Sequence, residues 1–308
     1  MVNYLRTMHL PWYLYFFTYY VKCYFFRKRN PLLAGFKITN LCNLRCVHCP
    51  FWKRTSREML TFDQVKRILL MLHQMGIKIL ILEGGEPFLW KDGNFTIHDV
   101  VEAARPLFFS VGITTNGTFP LTVKTNTIWV SIDGLEETHN QIRDKSFHKA
   151  IEHIENSDHP NIYANITINR INCEEIPQLV RFLTGRVKGI TIQFHYPYEE
   201  DDTLTLSFEK RRKVLDILSS LKRKGYPITD SYRCLDSLKD NSWNCQDWML
   251  ANVEPDGTIN LGCYVKGRGA IQCKMCGFAA HTEISLAYRW HVPSILTGRK
   301  IFRYGSNP

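Results

Sequence analysis

The chain has 308 residues, 44% apolar and 22% charged, so it can bury a full core and disorder is not its default state. Its net charge of +10 is concentrated at one end: ten Lys or Arg lie in residues 1–57, and no acidic residue precedes Glu58. Ten cysteines at close spacings point to metal ligation in a reducing setting and away from a secreted disulfide framework.

Residues 1–34 form the first expected unit, an aromatic and basic helical segment. Leu10 to Phe26 is rich in tyrosine and phenylalanine and runs directly into Arg27-Lys28-Arg29. A spanning helix needs roughly 20 apolar residues; this run is shorter and carries Lys22. Aromatic rings beside basic residues favour the headgroup region of a bilayer, and the competing expectation is an ordinary helix packed on the domain. No cleavage site of small residues follows the apolar run. The expected location is cytoplasmic, peripheral to the inner face of the cell membrane if the helix meets lipid. No nucleic-acid partner is expected.

From residue 35 short apolar runs alternate with amphipathic patterns, as βα units around a parallel sheet do. Strands are expected at 35–39, 77–82, 108–114, 128–134, 161–169 and 189–195. Helices are expected from Thr61, where Thr61 and Gln64 have capping-box spacing, and near 97–104, 147–155, 174–183 and 207–224. The acidic run at 199–202 reads as a solvated loop. Periodicity fades near residue 226, so residues 35–226 are expected as the α/β unit and residues 227–308 as a small cysteine-rich extension and tail. The tail from Ile284 to Arg303 is again aromatic and basic, and packing onto the α/β unit is its simplest account.

Cys42, Cys46 and Cys49 supply three thiolates at C-x3-C-x2-C spacing, with no evident fourth ligand. Thiolates suit iron–sulfur clusters and soft metals. A four-iron cluster on three cysteines leaves one iron open to a small molecule. Gly84-Gly85-Glu86-Pro87 follows a later strand, and Ser131-Ile132-Asp133-Gly134 another. Taken in this order, these motifs resemble the radical S-adenosylmethionine (radical SAM) enzymes over residues 35–196.

The resemblance implies a partial (β/α)6 barrel, with Cys42, Cys46 and Cys49 ligating a [4Fe–4S] cluster and S-adenosylmethionine chelating its open iron. Reductive cleavage would yield a 5′-deoxyadenosyl radical that takes hydrogen from a substrate. A donor such as ferredoxin or flavodoxin would supply the electron. Gly84 and Gly85 permit close backbone approach, and Glu86 or the carbonyls beside it would accept from the methionyl amine. Ser131 and Asp133 match the position that contacts ribose or carboxylate. Arg143 is either a fork for the methionyl carboxylate or a surface arginine. His48 sits where an aromatic commonly covers the adenine, as a packing or stacking residue. Asn116 either touches the cofactor or belongs to an ordinary Asn-Gly turn.

Cys245, an Asp256-Gly257 turn and Cys263 resemble the start of the SPASM/Twitch auxiliary-cluster domains, with one residue more than usual between Gly257 and Cys263. Cys273 and Cys276 complete four thiolates for a closed auxiliary [4Fe–4S] cluster; a structural zinc site is the alternative. Cys234 is a spare or a substitute ligand. Cys23 and Cys173 read as core or surface thiols. The N-terminal segment tilts the expected substrate toward a membrane-proximal lipid or isoprenoid. Peptide or protein modification is the main competitor, and a non-catalytic electron carrier the remote one.

Overall fold

Unbroken apolar strands followed by amphipathic helices produce a mostly parallel sheet in the computed structural model, which describes residues 11–54, 59–198 and 202–304. Six parallel strands lie side by side in chain order: β1 (Leu33–Lys37), β2 (Ile79–Glu83), β5 (Ser110–Thr115), β6 (Thr127–Ser131), β7 (Ile162–Ile168) and β8 (Gly189–Phe194). A small ribbon, β3 (Lys91–Asp92) with β4 (Phe95–Thr96), interrupts the β2–β5 connection. Helices α2 (Phe62–Gln74), α3 (Ile97–Ala104), α5 (Phe147–Glu155), α6 (Ile176–Leu183) and α7 (Phe208–Arg223) match the expected periodic segments. Thr61 caps α2 as its spacing predicts: its hydroxyl accepts from Gln64 N at 3.3 Å, and Gln64 Oε1 accepts from Thr61 N at 2.7 Å.

Alternate strand residues explain the two faces of the sheet. Ala34, Phe36, Leu80, Leu82, Val111 and Ile113 join the main core with the apolar stripes of the helices. Residues between them turn to the inner face. There Trp129, Tyr163 and Ile81 meet Ile301 and Phe302 of α10 (Val292–Phe302), so this helix forms the floor of the barrel. Gly112 makes room for that layer, because a Cβ on it would stand 2.5 Å from the Trp129 ring.

The cysteine-rich extension does not begin a separate sheet. β9 (Leu250–Val253) pairs parallel to β1, from Leu33↔Leu250 to Phe36↔Val253, and β10 (Ile259–Leu261) pairs antiparallel to β9. Gly257, at φ +89°, turns the hairpin between them. The change of pattern near residue 226 therefore marks a switch to α8 (Tyr232–Ser237) and α9 (Ala279–Tyr288), while the sheet runs on.

The N-terminal helix α1 (Trp12–Phe25) packs against the end of the barrel remote from the cysteine loop. Tyr15 Oη donates to Gly76 O at 2.6 Å, Tyr19 Oη to Asn30 O at 2.7 Å and Tyr20 Oη to Ala287 O at 2.9 Å. Phe16 meets Tyr304, and Tyr20 meets Tyr288 and Trp290, so α1 and the C-terminal tail share one aromatic cluster. Its other face leaves Tyr13, Phe17, Tyr24, Phe25 and Phe26 between 61 and 75% exposed. No described helix is long and apolar enough to cross a membrane. Of the acidic run, residues 199–201 lie outside the described residues.

Candidate functional site

The cysteine loop leaves the end of β1 and is fastened at once to the end of β2. Ile38 N donates to Glu83 O at 2.8 Å, Gly85 N to Thr39 O and Glu86 N to Leu41 O, both at 2.7 Å. A Cβ on Gly85 would fall 2.1 Å from Leu41 O, and one on Gly84 2.7 Å from Thr39 O. The close approach that needs these glycines is thus to the cysteine loop's own backbone.

Glu86 is fully buried, and its carboxylate is near enough to Cys42 to add to burial in pushing that thiol's pKa up. Its Oε1 accepts from Thr115 Oγ1 at 2.8 Å and Phe88 N at 3.2 Å, and its Oε2 from Asn116 N at 2.8 Å. Burial pushes its pKa up to about 7. This carboxylate orders the β2 and β5 ends. The Gly84 and Gly85 carbonyls accept no hydrogen bond among the described residues.

Within the loop, Cys49 N donates to Cys46 O at 3.1 Å and Leu44 N lies 3.5 Å from Cys42 Sγ. Asn116 Nδ2 stands 3.9 Å from Cys42 Sγ and 2.9 Å from Asn43 Oδ1, so the residue is more than a turn former. Arg143 closes the other side. It ends α4 (Glu136–Arg143), a helix the sequence pattern missed, and is buried. Its Nε donates to Asp133 Oδ2 at 2.5 Å, its Nη1 lies 3.9 Å from Cys46 Sγ and its Nη2 3.5 Å from His48 Nε2. The surface reading of Arg143 is therefore wrong.

Asp133 also accepts from Thr167 N at 2.7 Å. Ser131, at the end of β6, is buried and faces Asn165 across the sheet register. Burial, with Arg143 and His195 beside it, holds the His48 imidazole well below its ordinary range, so the ring is neutral. His195, unremarked in the sequence, faces His48 with ring centroids 6.4 Å apart and pairs with Asp202 at 2.8 Å. A small cleft of about 40 Å³ opens between these two histidines, Cys49 and Tyr198.

The three thiols sit close enough for charge on one to disfavour charge on the next. Burial pushes Cys46 up to about 12, although Arg143 opposes this. A bound metal centre supplies the positive charge that makes such thiols ligands. Asn40 Oδ1 and His48 Nδ1 are buried beside the thiols without a hydrogen-bond partner. Three sulfurs from one loop, a flanking cation and orphaned polar atoms fit a cluster with three protein ligands.

The second set is gathered by folding. Cys245 precedes β9 and Cys263 follows β10. Cys273 and Cys276 return against α7, where Arg211 Nη2 donates to Cys276 O at 2.7 Å and Asn241 Nδ2 to Lys274 O at 2.7 Å. Cys245 feels Cys276 and Cys263, and Cys263 feels Cys273. Burial raises Cys245 to about 12 and Cys276 to about 11. Cys234 stands apart, fully buried with Asp230 and Glu283. Among the described residues no three of the clustered cysteine sulfurs lie within 4.8 Å of one another.

Between the two sets the inner face is polar. Thr191 Oγ1 donates to Asn165 Oδ1 at 3.0 Å, Gln193 Nε2 to Thr167 Oγ1 at 3.1 Å and Asn252 Nδ2 to Gly262 O at 2.9 Å. Arg268, from the extension, reaches Glu83 Oε1 at 3.1 Å and Glu254 Oε1 at 2.5 Å. Lys37, the last residue of β1, is buried here, and desolvation draws its ammonium down to about 8.

Residues 36–183 match the description "Radical SAM superfamily". The Fe-coproporphyrin III synthase of Methanosarcina barkeri is 26% identical over 285 residues, 80% of this chain and 69% of that protein. The AdoMet-dependent heme synthase of the same organism is 34% identical over 165 residues, 47% of this chain and 45% of that protein, so this likeness spans less than half of the relative. Streptococcus suis SuiB bound to S-adenosylmethionine superposes with a TM-score of 0.64 at 16% identity, covering 87% of this chain and 66% of SuiB. SuiB bound to its precursor peptide SuiA gives 0.62 at 15% identity over 98% of this chain and 73% of SuiB. At these identities the likeness to SuiB is one of fold.

Proposed function

We propose that this chain, whose residues 36–183 match the radical SAM superfamily, is a radical SAM enzyme that acts on a polar, anionic substrate held on the inner face of the sheet between its two cysteine sets. Cys42, Cys46 and Cys49 would hold a [4Fe–4S] cluster, which when bound supplies the electron that cleaves S-adenosylmethionine to a hydrogen-abstracting radical. The Gly84 and Gly85 carbonyls are acceptors for the methionyl amine. The outer nitrogens of Arg143, held in place by its bond to Asp133, are donors for a carboxylate. Ser131 would bond a ribose hydroxyl. Neutral His48 is a packing surface and not a proton donor. Cys245, Cys263, Cys273 and Cys276 would hold an auxiliary [4Fe–4S] cluster in the manner of a SPASM/Twitch segment.

The polar inner face carries the substrate class. A face lined by Lys37, Thr191, Gln193, Asn252 and Arg268 offers a hydrocarbon chain little apolar surface, which weighs against the lipid or isoprenoid expected from the N-terminal segment. The likeness to the Fe-coproporphyrin III synthase over 80% of the chain supports an organic anion. The test is 5′-deoxyadenosine formation by reduced, reconstituted protein with a carboxylate-bearing iron tetrapyrrole, with a short peptide or with neither. Stimulation by the peptide alone would transfer the reading to peptide modification. No 5′-deoxyadenosine from a fully loaded protein under any condition would end it.

The exposed aromatic face of α1 favours a second role, docking at an anionic bilayer surface with a ferredoxin or flavodoxin donor approaching elsewhere. Vesicles with anionic lipid should carry the wild-type chain on flotation and release a Phe17, Phe25, Phe26→Ser variant. Equal flotation of both would remove the membrane from the account.

A further inference from the structure

Helices α1 and α10 lie side by side and antiparallel. Past the middle of α1 the Tyr20 ring meets Trp290, just before α10 begins, with 4.6 Å between centroids. At the start of α1 the Arg299 guanidinium, late in α10, stands 5.3 Å over the Trp12 ring. Each helix turns an apolar stripe outward beside this seam. On α1, Tyr13, Phe17, Tyr20 and Tyr24 recur at i, i+4, i+7 and i+11, one face of a helix. Of these, Tyr13, Phe17 and Tyr24 are 61, 62 and 63% exposed. On α10, Val292, Leu296 and Arg299 recur at i, i+4 and i+7, and Trp290, Val292 and Leu296 are 56, 60 and 56% exposed. Because Trp290 leans on Tyr20, a member of the α1 stripe, the two stripes form one surface.

The charge around this surface has one sign. Residues 11–30 and 286–304 carry eight Lys or Arg and no Asp or Glu. Lys22, Arg27, Lys28, Arg289 and Lys300 are exposed. Two copies meeting through this face would bring like charges together, and an apolar protein partner would leave the cations unmatched. An anionic bilayer answers both features: its headgroups attract Lys and Arg, and its interface takes up tyrosine, tryptophan and phenylalanine rings. We infer that α1 and the α9–α10 corner dock together on an anionic bilayer, with Trp290, Val292 and Leu296 entering the interface beside Phe17 and Tyr24. The docking role proposed for α1 is the premise, and the second helix extends it to the barrel. The last turn of α10 puts Ile301 and Phe302 in the floor, where the Ile301 carbonyl accepts from Thr127 Oγ1 and the Lys300 carbonyl from Tyr163 Oη at 3.4 Å. The bilayer and the barrel interior thus share one helix of 11 residues.

The measurement is vesicle flotation of the cluster-loaded full chain. Vesicles of phosphatidylcholine with phosphatidylglycerol should carry the wild type, and phosphatidylcholine alone should bind it about tenfold less. Added salt should release it. A corner variant with Trp290→Ser, Val292→Ser and Leu296→Ser together should partition about tenfold more weakly, as should the α1 variant with Phe17, Phe25 and Phe26 replaced by Ser. Val292→Ser with Leu296→Ser keeps the Trp290–Tyr20 contact and covers the case of a triple variant that fails to fold. Release of the α1 variant with full flotation of both corner variants overturns the shared face and leaves α1 docking alone. Equal flotation of every variant, or none by the wild type, overturns the shared face and α1 docking together. A wild-type dimer that the corner variant splits, with no flotation of either, makes a second copy the occupant and overturns the bilayer. Equal binding to neutral and anionic vesicles overturns the part given to charge.

Discussion

Cys42, Cys46 and Cys49 arrive together in one loop, already fastened to a strand end and flanked by the buried Arg143–Asp133 pair. Cys245, Cys263, Cys273 and Cys276 come from separate stretches that only the β9–β10 hairpin and the anchorage on Arg211 and Asn241 bring together. The first set keeps Cys46 buried and a charged fork beside it. The second leaves Cys245 and Cys273 exposed. A site that must exclude water around a reactive radical needs the former environment. A closed centre that passes electrons to or from a partner tolerates the latter. The two sets offer the same thiols and differ in what surrounds them.

The sharpest way to break this contrast is to delete ligands and count iron. Cys46→Ala should lose about four irons per chain and abolish 5′-deoxyadenosine formation. Cys263→Ala should also lose about four irons, while retaining measurable cofactor cleavage at the first site. Loss of zinc in place of iron from the second variant would make the second site structural, and loss of cleavage in both would erase the difference between them. Cys234→Ala is the control: its thiol lies with Asp230 and Glu283, and iron content should not change.

A smaller effect tests the flanking pair. Removing one partner of a buried ion pair typically costs about 3–5 kcal/mol, because the other charge is stranded. Arg143→Met should lower the unfolding midpoint strongly. Asp133→Asn added to it should recover part of the loss, since no lone carboxylate then remains. Additive losses in the double variant would mean that the two side chains act separately.

The strands and their helices were legible because the apolar run and the amphipathic stripe each have their own period. Helices 97–104 and 147–155 fall at the expected residues. Helix α4 was not, because Glu136-Glu-Thr-His-Asn-Gln-Ile-Arg143 offers too few apolar residues to show a stripe. Its position is what carries Arg143 from an apparent surface to the cysteine loop. Helix α9 hid for a related reason: its buried positions include Thr282, Glu283 and Ser285.

The parallel pairing of β9 with β1 joins segments more than half the chain apart, and no local pattern encodes it. Gly84 and Gly85 were correctly singled out for close approach, but spacing alone does not say to what. Lys37 did leave a signal, a lysine at an inward position of an otherwise apolar strand. Arg268 left none, because its partners Glu83 and Glu254 are brought to it only by the fold.

The floor formed by Ile301 and Phe302 has a consequence for biogenesis. The ribosome makes the cysteine loop early and this floor late; at 5–20 residues per second the interval is about 10–50 s. For most of that time β1 also lacks its neighbour β9, so the loop hangs from an unfinished sheet edge. Nascent thiols in that condition are open to stray metal and to oxidants. Delivery of iron and sulfide after the floor has closed would find the loop already on a finished sheet edge.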